Sequence, residues 1–204
     1  MTARPLGQTD LKRLHRAWRR RTHRRLGVIL DGVMTPVNVG SITRLAAAYG
    51  VERMWLAGAT AAVGHPGAQK TALHTERFVD IVDGITGPAA VSEARAQGFQ
   101  IVALELADGA VPLFEAELSA DVCLVAGHED HGVSAGVLAA CDLLAYLPLV
   151  GRVASLNVAT AAGVALAELR RQEWSRSPTG LDITGDDADA EAGNDADAEA
   201  DEGD

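Results

Sequence analysis

The chain has 204 residues, 48% hydrophobic and 23% charged, with three Trp, two Tyr and three Phe, enough to bury one good core and two only if both are small. It contains no apolar run of the roughly 18 residues that a membrane-spanning helix needs. Its basic N-terminus lacks the apolar stretch and cleavage site of a secretory signal, so a soluble, cytoplasmic protein without a membrane partner is expected. The net charge of −10 conceals an asymmetry: residues 1–25 carry nine Lys or Arg against one Asp, whereas residues 181–204 carry eleven Asp or Glu and no basic residue. The first stretch, with Leu11, Leu14 and Trp18 at helical spacing among arginines, predicts a basic amphipathic helix suited to a phosphate backbone, anionic lipid or an acidic partner. A solvated face with a structural apolar stripe is the plainer reading.

From residue 26 the chain alternates between two patterns. "LGVILDG" predicts a strand, and "NVGSITRLAAAYG", opened by Asn38 and closed by Gly50, predicts a helix with Ile42, Leu45, Ala46 and Tyr49 inward. "RMWLAG" and "FVDIV" predict strands around a Gly- and His-containing connection, and "GPAAVSEARAQG" a helix with Pro88 in its first turn and Gly98 at its end. "FQIVALEL", "DVCLVAG" and "LLAYLPL" predict three more strands, with a short helix in "SAGVLAAC" and a long final one in "SLNVATAAGVALAELRRQEW". Such alternation argues an α/β fold, a mostly parallel sheet with helices on both faces. Ligands of such sheets sit beyond the carboxyl ends of the strands, which points to the loops after residues 31, 104, 125 and 147. The Asp/Glu/Ala/Gly-rich end of the chain, 176–204, is expected to be a disordered acidic tail.

Several familiar sites are missing. There is no GxxxxGK[ST] phosphate loop and no GxGxxG after the first strand. Cys123 and Cys141 lack metal or redox spacing and read as buried thiols. "HEDH" at 128–131 lacks the HExxH order of a zinc protease, so no metal is expected. "GVSAG" matches the GxSxG nucleophile pattern, but no histidine follows His131 to complete a triad. Ser134 is therefore read as a helix N-cap.

Three stretches remain: "PVNVGSITRLAAAYG", "LVAGHEDHGVS" and "PLVGRVASLNVATA". Arg44 in the first is either a surface residue or a site residue held by packing. Ser155 in the third reads at least as an N-cap. Together the three resemble the SpoU (TrmH-type) RNA 2′-O-ribose methyltransferases of the SPOUT superfamily, over roughly residues 26 to 172. Motif one is similar at Asn38, Gly40, Arg44 and Gly50. Motif two is similar at Gly127, Glu129 and Gly132, with Val133 where Leu is commoner. Motif three is similar at Leu147, Pro148, Leu149, Gly151, Ser155, Leu156, Asn157 and Val158.

The resemblance implies a C-terminal deep trefoil knot, an exception to the rule against threaded chains. It also implies S-adenosylmethionine as cofactor, cradled by Leu104, Glu105, Gly127, Leu147, Leu149, Ser155 and Leu156. Methyl transfer to a ribose 2′-hydroxyl would use Arg44, with Asn38, Glu129, Ser155 and Asn157 positioning it, the ribose and its phosphate. Arginine is a poor base, so orientation and charge stabilisation suit Arg44 better than proton removal. A site shared across an obligate homodimer is implied as well. The middle of the chain is acidic, so phosphate contacts are expected from Lys12, Arg13, Arg16, Arg19, Arg20, Arg21, Arg24 and Arg25 in a basic segment ending at residue 25. The methyltransferase domain would then span 26–175. The substrate expected first is tRNA and second ribosomal RNA. A SPOUT base methyltransferase and a non-catalytic RNA-binding or assembly protein are the alternatives.

Overall fold

The computed structural model describes residues 5–118 and 121–176. The chain divides into two units: the larger is residues 22–178, and of the smaller, residues 5–21 are described. The acidic segment 177–204 lies outside the described residues.

In the smaller unit, helix α1 (Gln8–Arg20) has no buried residue. Lys12, Arg13, Arg16, Arg19 and Arg20 are exposed. The Arg21 guanidinium lies over the Trp18 ring, 5.1 Å from its centroid.

The larger unit is built on seven strands: β1 (Leu26–Asp31), β2 (Arg53–Ala57), β3 (Asp80–Ile85), β4 (Gln100–Leu104), β5 (Val111–Pro112), β6 (Val122–Gly127) and β7 (Leu143–Tyr146). They pair in the order β3-β2-β1-β6-β4-β7-β5, every pair parallel. The central strands β1 and β6 are buried at all six positions, which is why they read as continuous apolar runs rather than as alternation. Helices α2 (Pro36–Ala48), α3 (Pro66–Ala72), α4 (Gly87–Ala96) and α5 (Ala135–Leu138) lie between strands in the chain, and α6 (Val158–Ser175) follows β7. Val28, Leu30, Leu124 and Ala126 pack with Ile42 and Ala46 of α2 and Leu166 and Leu169 of α6. Ile29, Ile101, Cys123 and Val125 point the other way, against Ala90 and Ala94 of α4 and Val137 of α5. Helices thus cover both faces.

Local chemistry moves several predicted boundaries. Helix α2 begins at Pro36 with Thr35 at its N-cap, because proline lacks the N–H that the first turn cannot use; Asn38 is already inside the helix. Strand β7 stops at Tyr146, ahead of Pro148, which cannot donate to a ladder. Helix α6 begins at Val158, and its cap is Asn157, whose Oδ1 accepts from Ala159 N–H at 3.0 Å and Thr160 N–H at 3.3 Å. Ser155 lies two residues earlier and is not the cap. Ser134 does stand at the N-cap of α5, but its hydroxyl makes no capping bond; instead its N–H donates to Asp31 Oδ2 at 2.8 Å.

Arg24 and Arg25 also correct the sequence reading. Arg24 is buried, with Nη1 donating to Leu169 O, and burial lowers its pKa. Arg25 pairs with Glu52 and Asp121 and donates to Gln97 O. Both side chains are thus engaged by groups of the larger unit.

Gly40 of motif one has a packing role. A Cβ there would collide with the Ala68 carbonyl and Thr71 of α3, so glycine lets α3 lie directly on α2. At the far end of α2, Arg170 of α6 is 1% exposed. It donates to Tyr49 O at 2.9 Å, Gly50 O at 3.1 Å and Arg24 O at 2.8 Å, and pairs with Glu173 at 2.7 Å. Glu173 also accepts the N–H groups of His23 and Arg24. Removing one partner of such a buried pair strands the other, at a cost of about 3–5 kcal/mol. Arg170→Ala is accordingly expected to lower the unfolding free energy by that much in urea, at unchanged m-value. A loss within about 0.5 kcal/mol, the range of a surface substitution, would show that the pair does not anchor α6.

Candidate active site

Strands β4, β6 and β7 end side by side, with Leu104 opposite Ala145 and Ala103 opposite Val125, while Asp31 at the end of β1 lies opposite Gly127. Beyond these ends opens a cavity of about 1000 Å³. Its lining includes Leu104 and Glu105 after β4, Gly127 at the end of β6, Leu147 and Leu149 after β7, and Ser155 and Leu156 ahead of α6. The seven residues expected around a cofactor therefore share one cavity. Glu129 and Asn157 line it too.

The two glycines of motif two make its floor possible. A Cβ on Gly127 would strike the Gly132–Val133 backbone, and one on Gly132, whose φ is +68°, would strike the Glu105 carboxylate. Glu105 can therefore reach across to accept from Val133 N–H at 3.0 Å.

A chain of hydrogen bonds joins the three motifs. The Glu129 carboxylate accepts from Met34 N–H at 3.2 Å, Thr35 N–H at 3.0 Å and Asn38 Nδ2 at 2.8 Å. Asn38 Oδ1 accepts from Asn157 Nδ2 at 3.0 Å, and Asn157 Oδ1 caps α6. Asn38 is buried. Desolvation pushes the Glu129 carboxyl up, but the donors from Asn38, Thr35 and the local backbone outweigh it and hold the pKa at about 2. A carboxylate so held is a fixed acceptor and a weak base.

Arg44 is not brought to this cavity. It is exposed on α2, outside the lining, and its guanidinium has no partner among the described residues. The Ser155 hydroxyl, in the cavity, has no partner among them either. Sequence reasoning missed Thr35 and Met34, and it weighed His128 and His131 only as metal ligands, whereas their ring centroids lie 4.7 Å apart. The signal for Thr35 was available, since Thr-Pro is a common helix opening. The lining holds Glu105, Glu129 and Asp130 but no Lys or Arg, and no group of His, Cys, Asp or Glu among the described residues could hold a metal ion. No helix among them is long and apolar enough to cross a membrane.

A family profile described as the SpoU rRNA Methylase family matches residues 25–167. The 23S rRNA (guanosine(2553)-2′-O)-methyltransferase RlmP of Bacillus subtilis is 33% identical over 143 residues, 70% of this chain and 57% of that protein. The tRNA (guanosine(18)-2′-O)-methyltransferase of Escherichia coli is 32% identical over 155 residues, 72% of this chain and 63% of that protein. The chain thus spans less than two thirds of the length of these curated relatives. Among solved structures, the SpoU methyltransferase AviRb from Streptomyces viridochromogenes in complex with the cofactor AdoMet superposes with a TM-score of 0.67 at 30% identity, over 74% of this chain and 61% of that one.

The depressed pKa of Glu129 gives a pH signature. Its contribution to stability is complete above the ordinary value of 4.5 and is lost as pH falls toward about 2. Glu129→Gln, which cannot ionise, is expected to lose less stability than the native chain between about pH 5 and about pH 2.5. Urea unfolding at both pH values checks this; equal losses in the two proteins would mean that the ionised carboxylate is not what the donors hold.

Proposed function

Since the chain belongs to the SpoU rRNA Methylase family, we propose that it transfers a methyl group from S-adenosylmethionine to a ribose 2′-hydroxyl of RNA. The observation that carries this reading is the cavity beyond β4, β6 and β7, with all three motifs tied to one another at its edge. Its volume, about 1000 Å³, is at the upper end of ordinary cofactor sites. Leucines suit a flat apolar ring, and a lining with carboxylates but no Lys or Arg suits a cationic cofactor. When bound, that cofactor supplies a methyl group already activated by its positive sulfur.

The protein's own residues orient the acceptor. Ser155 offers a free hydroxyl within the cavity, and Asn157 and Glu129 hold the surrounding loops still. Proximity and orientation supply much of the acceleration once both reactants are bound. Glu129 stays ionised with its donors in place, so the ribose proton leaves by another route, to the neighbouring RNA phosphate. A protonated guanidinium stabilises the developing alkoxide, and Arg44 is the residue for it. Its exposure away from its own cavity supports a homodimer in which it serves the partner's cavity. The exposed apolar side chains Phe114, Leu149, Leu156 and Val164, around a second hollow of about 250 Å³, are surface such a partner would cover.

Residues 26–175 form the methyltransferase domain in this proposal, with the C-terminal segment threaded as a trefoil knot. The insertion of β6 between β1 and β4, and of β7 between β4 and β5, supports that threading. RNA is held by Lys12, Arg13, Arg16, Arg19, Arg20 and Arg21, and the reaction takes place in the cytoplasm. The RNA pools to test are tRNA, taken first, and ribosomal RNA.

Incubation with methyl-labelled S-adenosylmethionine and each RNA pool, followed by nucleoside mass spectrometry, is expected to give a 2′-O-methylated nucleoside. Arg44→Ala should lower turnover by about 100-fold or more, as loss of a transition-state donor does, with cofactor affinity retained. Co-expressed Arg44→Ala and Asn157→Ala protomers should regain activity, because one site of the mixed dimer carries both residues intact. Label on a base, or no regain, would overturn the acceptor or the shared site respectively. Replacing Lys12, Arg13, Arg16 and Arg19 by Gln should make the slope of log affinity against log salt shallower by about 0.7–0.9 for each phosphate the helix no longer neutralises. An unchanged slope would remove α1 from the RNA surface.

A further inference from the structure

Glu129 belongs to a loop closed at both ends. His128 and Gly132 exchange backbone hydrogen bonds of 2.9 Å in both directions. Inside the loop the Asp130 N–H donates to the Nδ1 of His128 at 3.0 Å, so the turn around Glu129 is braced by an imidazole lone pair. We infer that His128 is a positioning residue: its neutral imidazole holds the loop that aims Glu129 at α2, and protonation of the ring releases it.

A neutral imidazole that accepts at Nδ1 carries its proton on Nε2; a protonated one has N–H at both nitrogens and no lone pair left. Protonated His128 would turn an N–H toward the Asp130 N–H, and the brace would become a repulsion. Glu129 would then lose the turn that points it at Met34, Thr35 and Asn38. Imidazole ordinarily changes charge between about pH 8 and about pH 5. The charged or titratable groups around the ring are Glu129, Asp130 and His131 on its own loop. Asp31 closes β1 beside the Gly32 turn that packs near His128, and Glu105 reaches Gly132 and Val133 from the end of β4. Carboxylates ordinarily titrate near pH 4, outside that window, and His131 is the neighbouring imidazole to be told apart, its ring centroid 4.7 Å from that of His128. His65 uses its Nδ1 in the same way, accepting from Gly67 N–H at the start of α3, so the test has to be specific to residue 128.

The inference rests on the proposed function only for the ligand, and its test is split accordingly. Nitrogen-15 NMR of the apo protein follows the His128 ring and the amides of Met34, Thr35 and Asp130 from about pH 8 to about pH 5.5. The native protein is expected to show neutral His128 protonated at Nε2 at the higher pH, and the three amides are expected to shift as the ring titrates. His128→Asn offers a side-chain oxygen to the same N–H two residues on, as Asn does in turns, and does not titrate. Its amides should stay at their high-pH positions throughout, whereas those of His128→Ala should sit near the acid positions at every pH. Affinity for S-adenosylmethionine, by calorimetry, should fall about fivefold over the range in the native protein, the loss of about one hydrogen bond, and remain level in His128→Asn. If His128 titrates while the Met34 and Thr35 amides stay still, or if His128→Asn keeps the native pH dependence, the inference is overturned, the second result placing the effect on His131. Amides that shift as expected in a protein that binds no S-adenosylmethionine at any pH would support the brace and overturn the proposed cofactor instead.

Discussion

The arrangement depends on one chain of hydrogen bonds whose direction is forced. Glu129, Asn38 and Asn157 come from positions 91 and 119 residues apart in sequence. An ionised carboxylate only accepts, and the N-terminus of a helix only donates. The two amides between them must relay: Asn38 gives its NH2 to Glu129 and its oxygen to Asn157, and Asn157 gives its NH2 to Asn38 and its oxygen to α6. Aspartate in either place would set acceptor against acceptor. Asparagine in both is therefore a consequence of what stands at the two ends, and the three motifs form one object.

The same chain explains how α2 is held. The Glu129 carboxylate sits at its N-terminus and the Arg170 guanidinium on the carbonyls at its C-terminus, each with the sign that complements the helix dipole. Between them α3 lies against Gly40 and α6 against Leu45, where a Cβ on Gly163 would be 3.0 Å from the leucine methyl. The helix is thus fixed at both ends and pressed on two sides. Its remaining face, with Val37, Arg44 and Ala48 exposed, is spaced at one-turn and two-turn intervals and faces outward. Rigidity in α2 is what would let Arg44 be presented without a partner of its own.

Much of this fold was legible because the central strands are buried on both faces and read as unbroken apolar runs, and because Pro88 and Gly98 punctuate α4. Helix α3 was not legible: "PGAQKTA" is one to two turns long, opens with Pro-Gly, and is made helical by packing on Gly40 and by the His65 cap rather than by propensity. Strand β5 is two residues and exists only through its pairing with β7. The gathering of the cavity residues could be read from motif order, but the choice of cap could not, since Ser155 and Asn157 are both good N-caps and only the contact with Asn38 decides between them. Arg24 and Arg25 looked like a continuation of the basic helix because charge counting does not see Glu52 or Asp121, which lie far off in sequence. Arg170 was hidden for the same reason inside "LRRQEW", a polar helix end whose buried member is revealed only by the carbonyls it meets.

Charge divides the proposed reaction into two tasks that need different surfaces. A lining that carries carboxylates and no Lys or Arg favours a cationic methyl donor but repels a phosphate backbone, so in the proposed reaction RNA affinity has to come from elsewhere, and the exposed basic face of α1 is the surface proposed for it. Within the cavity, Glu129 has the position of a general base. Its pKa of about 2 argues against that role: the donors that make it a good anchor remove the proton affinity that a base near neutral pH requires. The carboxylate of motif two is therefore scaffolding, and what weakens it as a base is what makes it an anchor. In the proposed reaction, proton removal would then fall to a group that arrives with the substrate, and charge stabilisation to Arg44, exposed on α2 and proposed to serve a second subunit.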